Sequence, residues 1–304
     1  MGSILECLPQ GSRVAILRLR SLGDSVLTTP AIDILKRFRP DLRLAVMVED
    51  QFRAIFESNP DVDQILPPKL GAVRSWRPHL CVNFHGGNQS AWMTVDSGAK
   101  LRAGFGHFRH QFIYNVRIPR AQEILRVDRT VHTAEHLASA MFHLGVPAIE
   151  IPRAKLVPPR APVNQAGPMA VIHPVAATPK KTWRHEGFVA VAEHLRKSGL
   201  EPVFIGGSRD DLSGYRDFRT IRDAPLSEIK QLLSTASLFV GNDSGPAHMA
   251  AAFGLPVVVI FGAADPAIWG PWRTASEVLT APGDIADIED AQVLDALTRL
   301  RVHA

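Results

Sequence analysis

The sequence is poor in cysteine. Cys7 and Cys81 are too few for a disulfide framework and form no Cys-x-x-Cys pair, so a stapled scaffold and a cysteine-rich metal site are both excluded. Long apolar runs are also missing: none reaches the roughly 18 residues that span a bilayer. The opening M-G-S-I-L-E-C-L-P-Q has neither a basic segment nor a long hydrophobic one, so no signal peptide is expected. Glu6 stands where a myristoylation signal needs Ser or Thr. The glycine-rich phosphate loop is absent as well. The first apolar run, R-V-A-I-L at 13–17, leads into R-L-R-S-L-G-D and not into G-x-G-x-x-G, which argues against an N-terminal dinucleotide-binding domain. There is no G-x-S-x-G of the α/β-hydrolases, no short internal repeat and no low-complexity tract. With 46% hydrophobic and 21% charged residues, the expectation is a globular protein of the reducing cytoplasm.

Charge is present but unevenly placed. Residues 1–160 hold 21 Lys and Arg against 14 Asp and Glu, whereas 161–304 hold 13 against 16. A basic first half suits an anionic partner: an acidic lipid, a phosphorylated glycan or nucleic acid. It also suits an ordinary solvated surface.

Short apolar runs alternate with helical patterns along the whole chain. Strands are expected at 13–17, 42–48, 63–66, 79–84, 169–173, 202–207, 237–242 and 255–262. Helices are expected at 29–38, with Thr29 as N-cap and Pro30 at the first helical position, and at 51–58. Others are expected at 133–144, 185–198, 226–236 and 245–254, with a last one at about 287–300. A stretch of six prolines between 145 and 168 interrupts the pattern. The reading is therefore two α/β layers with parallel sheets: a domain over 1–150, a linker over 151–167 and a second domain over 168–304. Ligands in such sheets bind at the carboxyl ends of the strands.

Three segments could carry chemistry. F-V-G-N-D-S-G-P-A-H-M, from Phe239 to Met249, runs from a strand into a helix. A helix N-terminus offers unpaired N–H groups and partial positive charge, which suits a diphosphate. Gly245 permits close approach there, and His248 falls in the first turn. The same residues would also serve as an Asp/Ser cap on a buried helix. H-P-V-A-A-T-P-K-K-T-W, from His173 to Trp183, follows another strand and offers the Thr178 hydroxyl and the ammonium groups of Lys180 and Lys181. Alone it reads as a basic loop. The third is Arg18 to Ala31, where Asp24 occupies the position in which a nucleotide fold usually holds a phosphate.

Other matches are weaker. D-S-G resembles a protease nucleophile segment, but that fold is all-β. H-T-A-E-H at 132–136 places two imidazoles on one helix face as in an inverted zinc-protease motif, yet no third ligand stands out. D-V-D at 61–63 follows Asn-Pro and reads as a surface turn.

Taken together, R-L-R-S-L-G-D-S-V-L-T-T-P-A, H-P-V-A-A-T-P-K-K-T-W, G-N-D-S-G-P-A-H-M-A-A-A-F-G-L-P-V-V-V-I-F-G and F-G-A-A-D-P-A-I-W-G-P-W resemble glycosyltransferase family 9, the ADP-heptose:lipopolysaccharide heptosyltransferases. The likeness runs from about 13 to 273. F-G-A-A-D-P carries Ala where the family often has proline or threonine. The resemblance implies a GT-B fold, two Rossmann-like domains facing a cleft, and inverting transfer without a metal or cofactor. ADP-heptose would be the donor, and an anionic lipopolysaccharide inner-core glycolipid the acceptor. It implies that Asp24 is the catalytic base and that Thr178, Lys181, Asp243, Ser244, Gly245 and His248 bind the donor. Arg18, Arg20, Gly23, Asn83 and Arg102 are then expected on the acceptor side, and the H-G-G loop at 85–87, after the strand at 79–84, is expected to border the cleft with Asn83. The partners expected are the donor, the glycolipid and the inner-membrane surface, which the protein would meet peripherally at its cytoplasmic face; no nucleic acid is expected. Two other readings stay open: a GT-B transferase using another nucleotide sugar, and a catalytically silent nucleotide-binding module in glycan assembly.

Overall fold

An apolar pentapeptide begins each half of the chain, and a parallel sheet is built around each. The computed structural model describes residues 3–160 and 167–300. The chain divides after Val157 into two compact units. Residues 161–166, inside the stretch expected as a linker, lie outside the described residues.

The first unit contains β1 (Arg13–Leu17), α1 (Leu22–Phe38), β2 (Arg43–Met47), β3 (Gln64–Leu66), α2 (Ala72–Trp76), β4 (Leu80–Asn83), α3 (Asn88–Asp96), β5 (Leu101–Phe105), β6 (Val116–Ile118), α4 (Ala121–Leu125) and α5 (Thr133–Leu144). Its six strands are parallel in the order β3-β2-β1-β4-β5-β6. Central strands of such a sheet are buried on both faces and need no polar alternation, as Val14 to Leu17 illustrate. Ala15, Leu17, Ala45, Met47 and Cys81 pack with Val73 of α2 and Met93 of α3. α1 lies along α5. Residues 51–58, expected as an α-helix, form only a 3-10 helix over Asp50–Ile55.

α1 departs most from expectation. It begins at Leu22, capped by Ser21, and Pro30 sits inside it instead of at its start. An interior proline leaves the carbonyl four residues earlier, here that of Val26, without an N–H. Thr29 Oγ1 donates to that carbonyl at 2.8 Å and accepts from Lys155 N at 2.9 Å. The residue read as a cap thus repairs the helix interior and ties it to residue 155.

The second unit contains β7 (Met169–His173), α6 (His185–Lys197), β8 (Glu201–Gly206), β9 (Arg219–Arg222), α7 (Leu226–Thr235), β10 (Leu238–Asn242), α8 (Gly245–Phe253), β11 (Val257–Phe261), α9 (Pro266–Trp269), β12 (Ser276–Thr280) and α10 (Asp290–Arg299). Its parallel order is β12-β11-β10-β7-β8-β9. Counted from its own first strand, this is the order of the first unit. One core joins Ile172, Val240 and Ile260 of the sheet to Phe188 and Val191 of α6 and Val293 of α10. The expected α/β class with two parallel, Rossmann-like sheets is what is found. The direction of winding reverses between β1 and β4 and again between β7 and β10, where open sheets take ligands. Among the described residues, no helix is long and apolar enough to cross a membrane.

Candidate functional site

At the first reversal point β1 ends and the chain turns through Arg18–Ser21 into α1. Asp24 is the third residue of that helix. Its Oδ2 accepts from Ser21 Oγ at 3.0 Å and from Ser21 N at 3.4 Å, half of a capping box. Its Oδ1 pairs with Arg18 Nη2. The carboxylate is therefore part of the helix start and remains partly open, its side chain 20% exposed. Gly23, one residue earlier, is buried at the same turn.

Arg18 does not reach outward as expected for an acceptor contact. It is buried, with Nη1 donating to Phe84 O at 2.7 Å and Nη2 on Asp24. Burial lowers its pKa, and Asp24 opposes that shift. Its place is to hold Asp24 against the end of β4. Arg20 does face solvent, loosely paired with Glu49 at 3.3 Å.

Two other acceptor-side expectations are corrected. Asn83 is fully buried with all its hydrogen bonds internal. Nδ2 donates to Thr94 Oγ1 and Tyr114 Oη, both at 3.0 Å, and Oδ1 accepts from His85 N and Gly86 N at 2.9 and 3.0 Å. It shapes the loop after β4 and has nothing left for a substrate. Arg102 lies near the start of β5, at the other end of the sheet from Asp24, and its guanidinium donates to Ile113 O and Ala99 O.

The H-G-G loop at 85–87, expected at the border of the cleft, brings one imidazole to this end of the sheet, and sequence reasoning missed a second. His85 follows β4 and feels Arg18, Arg20 and Asp24; burial, then Arg18, lowers its pKa. His136 of α5 stacks on Phe105 with centroids 4.0 Å apart. Burial first, then His107 and Arg18, push its pKa down to about 4. His85 had one legible signal, its position directly after a strand. His136 has no signal beyond its place in the H-T-A-E-H spacing. Its partner His132 instead caps α5, with Nδ1 accepting from Ala134 N at 3.1 Å, and Glu135 pairs with Arg129. Among the described residues no group of three or more potential metal ligands forms.

At the second reversal point, β10 ends in Asn242 and α8 starts at Gly245. Ser244 is the N-cap, yet its hydroxyl makes no capping bond. It pairs with His173 Nδ1 at 3.0 Å instead. Pro246 has no N–H, so the first turn presents the amides of Gly245 and Ala247 without a side-chain cap, an arrangement that suits an anion. His173 is pushed down to about 4 by burial, with Asp210 opposing. His248 is 6% exposed and belongs to the wall beneath this turn.

Lys181 closes a one-turn 3-10 helix over Pro179–Lys181 whose N-cap is Thr178. Its Nζ lies 2.9 Å from Asp243 Oδ2, with the lysine side chain 34% exposed and the aspartate 10%. An ammonium carries three donors, so two stay available. Three contacts seat this loop. Trp183 N donates to Asn242 Oδ1 at 2.9 Å, and Trp183 Nε1 to Ile288 O at 2.8 Å. Gly262, after β11, lets the loop approach, because a Cβ there would overlap the Lys180 carbonyl oxygen. Thr178, Lys181, Asp243, Ser244 and Gly245 are thus gathered at one end of one sheet.

A model of glycosyltransferase family 9 (heptosyltransferase) matches residues 79–290. Lipopolysaccharide heptosyltransferase 3 of Escherichia coli is 26% identical, covering 84% of this chain and 84% of its own length. Among solved structures, a glycosyl transferase family 9 protein from Veillonella parvula superposes with a TM-score of 0.84 at 19% identity, covering 96% of this chain and 97% of that one. The E. coli heptosyltransferase WaaC with ADP-2-deoxy-2-fluoro heptose gives 0.76 at 18% identity, covering 94% and 99%.

Proposed function

Because the chain belongs to glycosyltransferase family 9, we propose that this glycosyltransferase moves a heptose from ADP-heptose to an anionic inner-core acceptor of lipopolysaccharide, with inversion and without a metal. The observation that carries the reading is the ammonium of Lys181, held 2.9 Å from Asp243 beside the uncapped first turn of α8. That is a receptor for a diphosphate. The relatives' names and the sugar nucleotide in the WaaC structure support ADP-heptose as the donor.

The chemistry is a single displacement. Asp24 takes the proton of the attacking acceptor hydroxyl as its oxygen bonds to the anomeric carbon. The bond from that carbon to the diphosphate breaks on the opposite side, so configuration inverts, and ADP departs with the electron pair. Lys181 and the amides of Gly245 and Ala247 meet the charge that develops on the leaving group. Donors of this kind are each worth about 3 kcal/mol in the transition state. Arg18 and Ser21 orient Asp24, and general-base help adds roughly a hundred- to ten-thousandfold. Thr178, Ser244 and His248 complete the donor wall. Arg20 and Gly23 border the acceptor, whose anionic groups suit the exposed guanidinium. The protein works in the cytoplasm, peripherally at the inner membrane.

The test is thermal stabilisation by ADP, UDP, GDP, NAD and ADP-heptose, each with and without EDTA. A ligand at about 100 times its Kd adds roughly 2.7 kcal/mol. Selective stabilisation by ADP and ADP-heptose, indifferent to EDTA, is expected. A preference for UDP or GDP would replace the donor, and stabilisation that EDTA abolishes would refute metal independence.

A further inference from the structure

Ser244 stands where a serine ordinarily closes a helix, and it does not close this one. As N-cap of α8 it has one amide in reach, that of Ala247 at the third helical position, because Pro246 at the second has no N–H. Its backbone is extended, with φ −158° and ψ 165°, as suits a cap, yet the capping bond is missing. The hydroxyl is held 3.0 Å from His173 Nδ1 instead.

The sheet brings these two residues together across 71 positions of sequence. β7 and β10 run in parallel with His173 beside Gly241, so the ring at the end of β7 meets the turn after β10. Gly241 permits the approach, since a Cβ there would come within 2.8 Å of the His173 carbonyl oxygen. Burial keeps the imidazole uncharged near neutrality, with Asp210 the opposing charge. A neutral imidazole bears a single N–H. With the proton on Nδ1, the ring donates to Ser244 Oγ and leaves the hydroxyl proton for a phosphate oxygen. With the proton on Nε2, the hydroxyl donates to Nδ1. Both arrangements keep Ser244 off the Ala247 amide. An anion at the turn favours the first, because the second aims oxygen lone pairs at it.

We propose that His173 is a positioning residue for the anion site: it holds Ser244 away from the first turn of α8, so that the Ala247 amide and the Ser244 hydroxyl stay available to a diphosphate. Without the imidazole, Ser244 caps its own helix, and a ligand must displace that cap. A serine cap is worth about fivefold in an equilibrium constant. The identity of the ligand rests on the proposed donor site, whereas the restraint on Ser244 does not.

The test joins calorimetric titration with ADP to hydrogen exchange at the Ala247 amide in the ligand-free full chain. H173F, or H173L should the larger ring not pack, should weaken ADP about fivefold and slow Ala247 exchange by about the same factor. S244A should weaken ADP about tenfold, since a hydrogen bond to a charged group is lost. Adding H173F to S244A should change neither reading by more than about twofold, because no cap is left to form. H173N keeps a side-chain amide that can donate to Ser244 and should match the parent within about twofold. A histidine that only fills space would give H173F the same deficit in both backgrounds, and would give H173N the deficit of H173F. Either result overturns the proposal, as does H173F with the parent's ADP affinity or the parent's Ala247 exchange. A parent that ignores ADP fails the donor reading, and the exchange rates alone then decide the role of His173.

Discussion

The two units wind their strands in the same order and place different groups where the winding reverses. In the first, the turn after β1 presents Asp24, gripped by the buried Arg18 and by Ser21. In the second, the turn after β10 presents backbone amides, and Lys181 is brought beside them from the loop after β7. One end suits an incoming proton and the other an anion. The difference teaches that a shared sheet supplies a location, and the loop residues supply the chemistry.

That contrast can be broken most sharply by exchanging losses. Asp24→Asn keeps the shape of the first turn but removes the base; kcat should fall at least about a hundredfold with ADP binding unchanged. Lys181→Met should do the reverse in binding, weakening ADP markedly and lowering kcat by about a hundredfold as leaving-group stabilisation disappears. Calorimetric titration with ADP beside steady-state kinetics reads both. Equal loss of ADP affinity in the two variants would end the division of labour, and unimpaired turnover in Asp24→Asn would remove the base.

A milder probe uses a feature the units share. Each holds a half-buried imidazole whose pKa is pushed down to about 4, His136 in the first and His173 in the second. The unfolded chain takes up protons near the ordinary histidine value of about 6.5, while the folded chain resists until about 4. Folding stability is therefore complete above about 6.5 and falls as the pH drops through that window, by on the order of 3 kcal/mol per imidazole at most. Urea titrations at about pH 7 and about pH 4.5 measure the slope. His136→Phe should flatten it and keep the stacking on Phe105. A slope unchanged in that variant would show that carboxylates set the acid limit instead.

The smallest effect tests the repair inside α1. Thr29→Val strips the Val26 carbonyl and the Lys155 amide of their shared partner and should cost about 2 kcal/mol in urea unfolding, with ADP binding intact. A loss no greater than a few tenths would mean that neither group depends on Thr29.

Legibility varied with the range of the interaction. β1, β7 and α5 were readable to the residue, because apolar runs and a following glycine are local signals. β5, β6, β9 and β12 were not: Arg219–Arg222 and Ser276–Thr280 are polar and part-exposed, and only pairing with a neighbour makes them strands. The start of α1 was misplaced because Pro30 is tolerated only through the Thr29 hydroxyl. At the sites, Asp24, Lys181 and the 243–245 turn stood out by their position after strands. The inward turn of Arg18, the fully bonded Asn83 and the misplaced Arg102 depend on Phe84, Tyr114 and Ile113.

By itself, the order of amino acids determined the α/β class, the two sheets, the family and the turns that hold Asp24 and residues 243–245. Those follow from hydrophobic period, glycine and proline punctuation and local motif spacing, all set within a few residues. Tertiary structure alone decided which arginine holds Asp24, which one faces solvent, and how Trp183 and Gly262 seat Lys181. A side chain's partners are chosen by burial and by hydrogen bonds closed across the fold, and sequence spacing does not encode them.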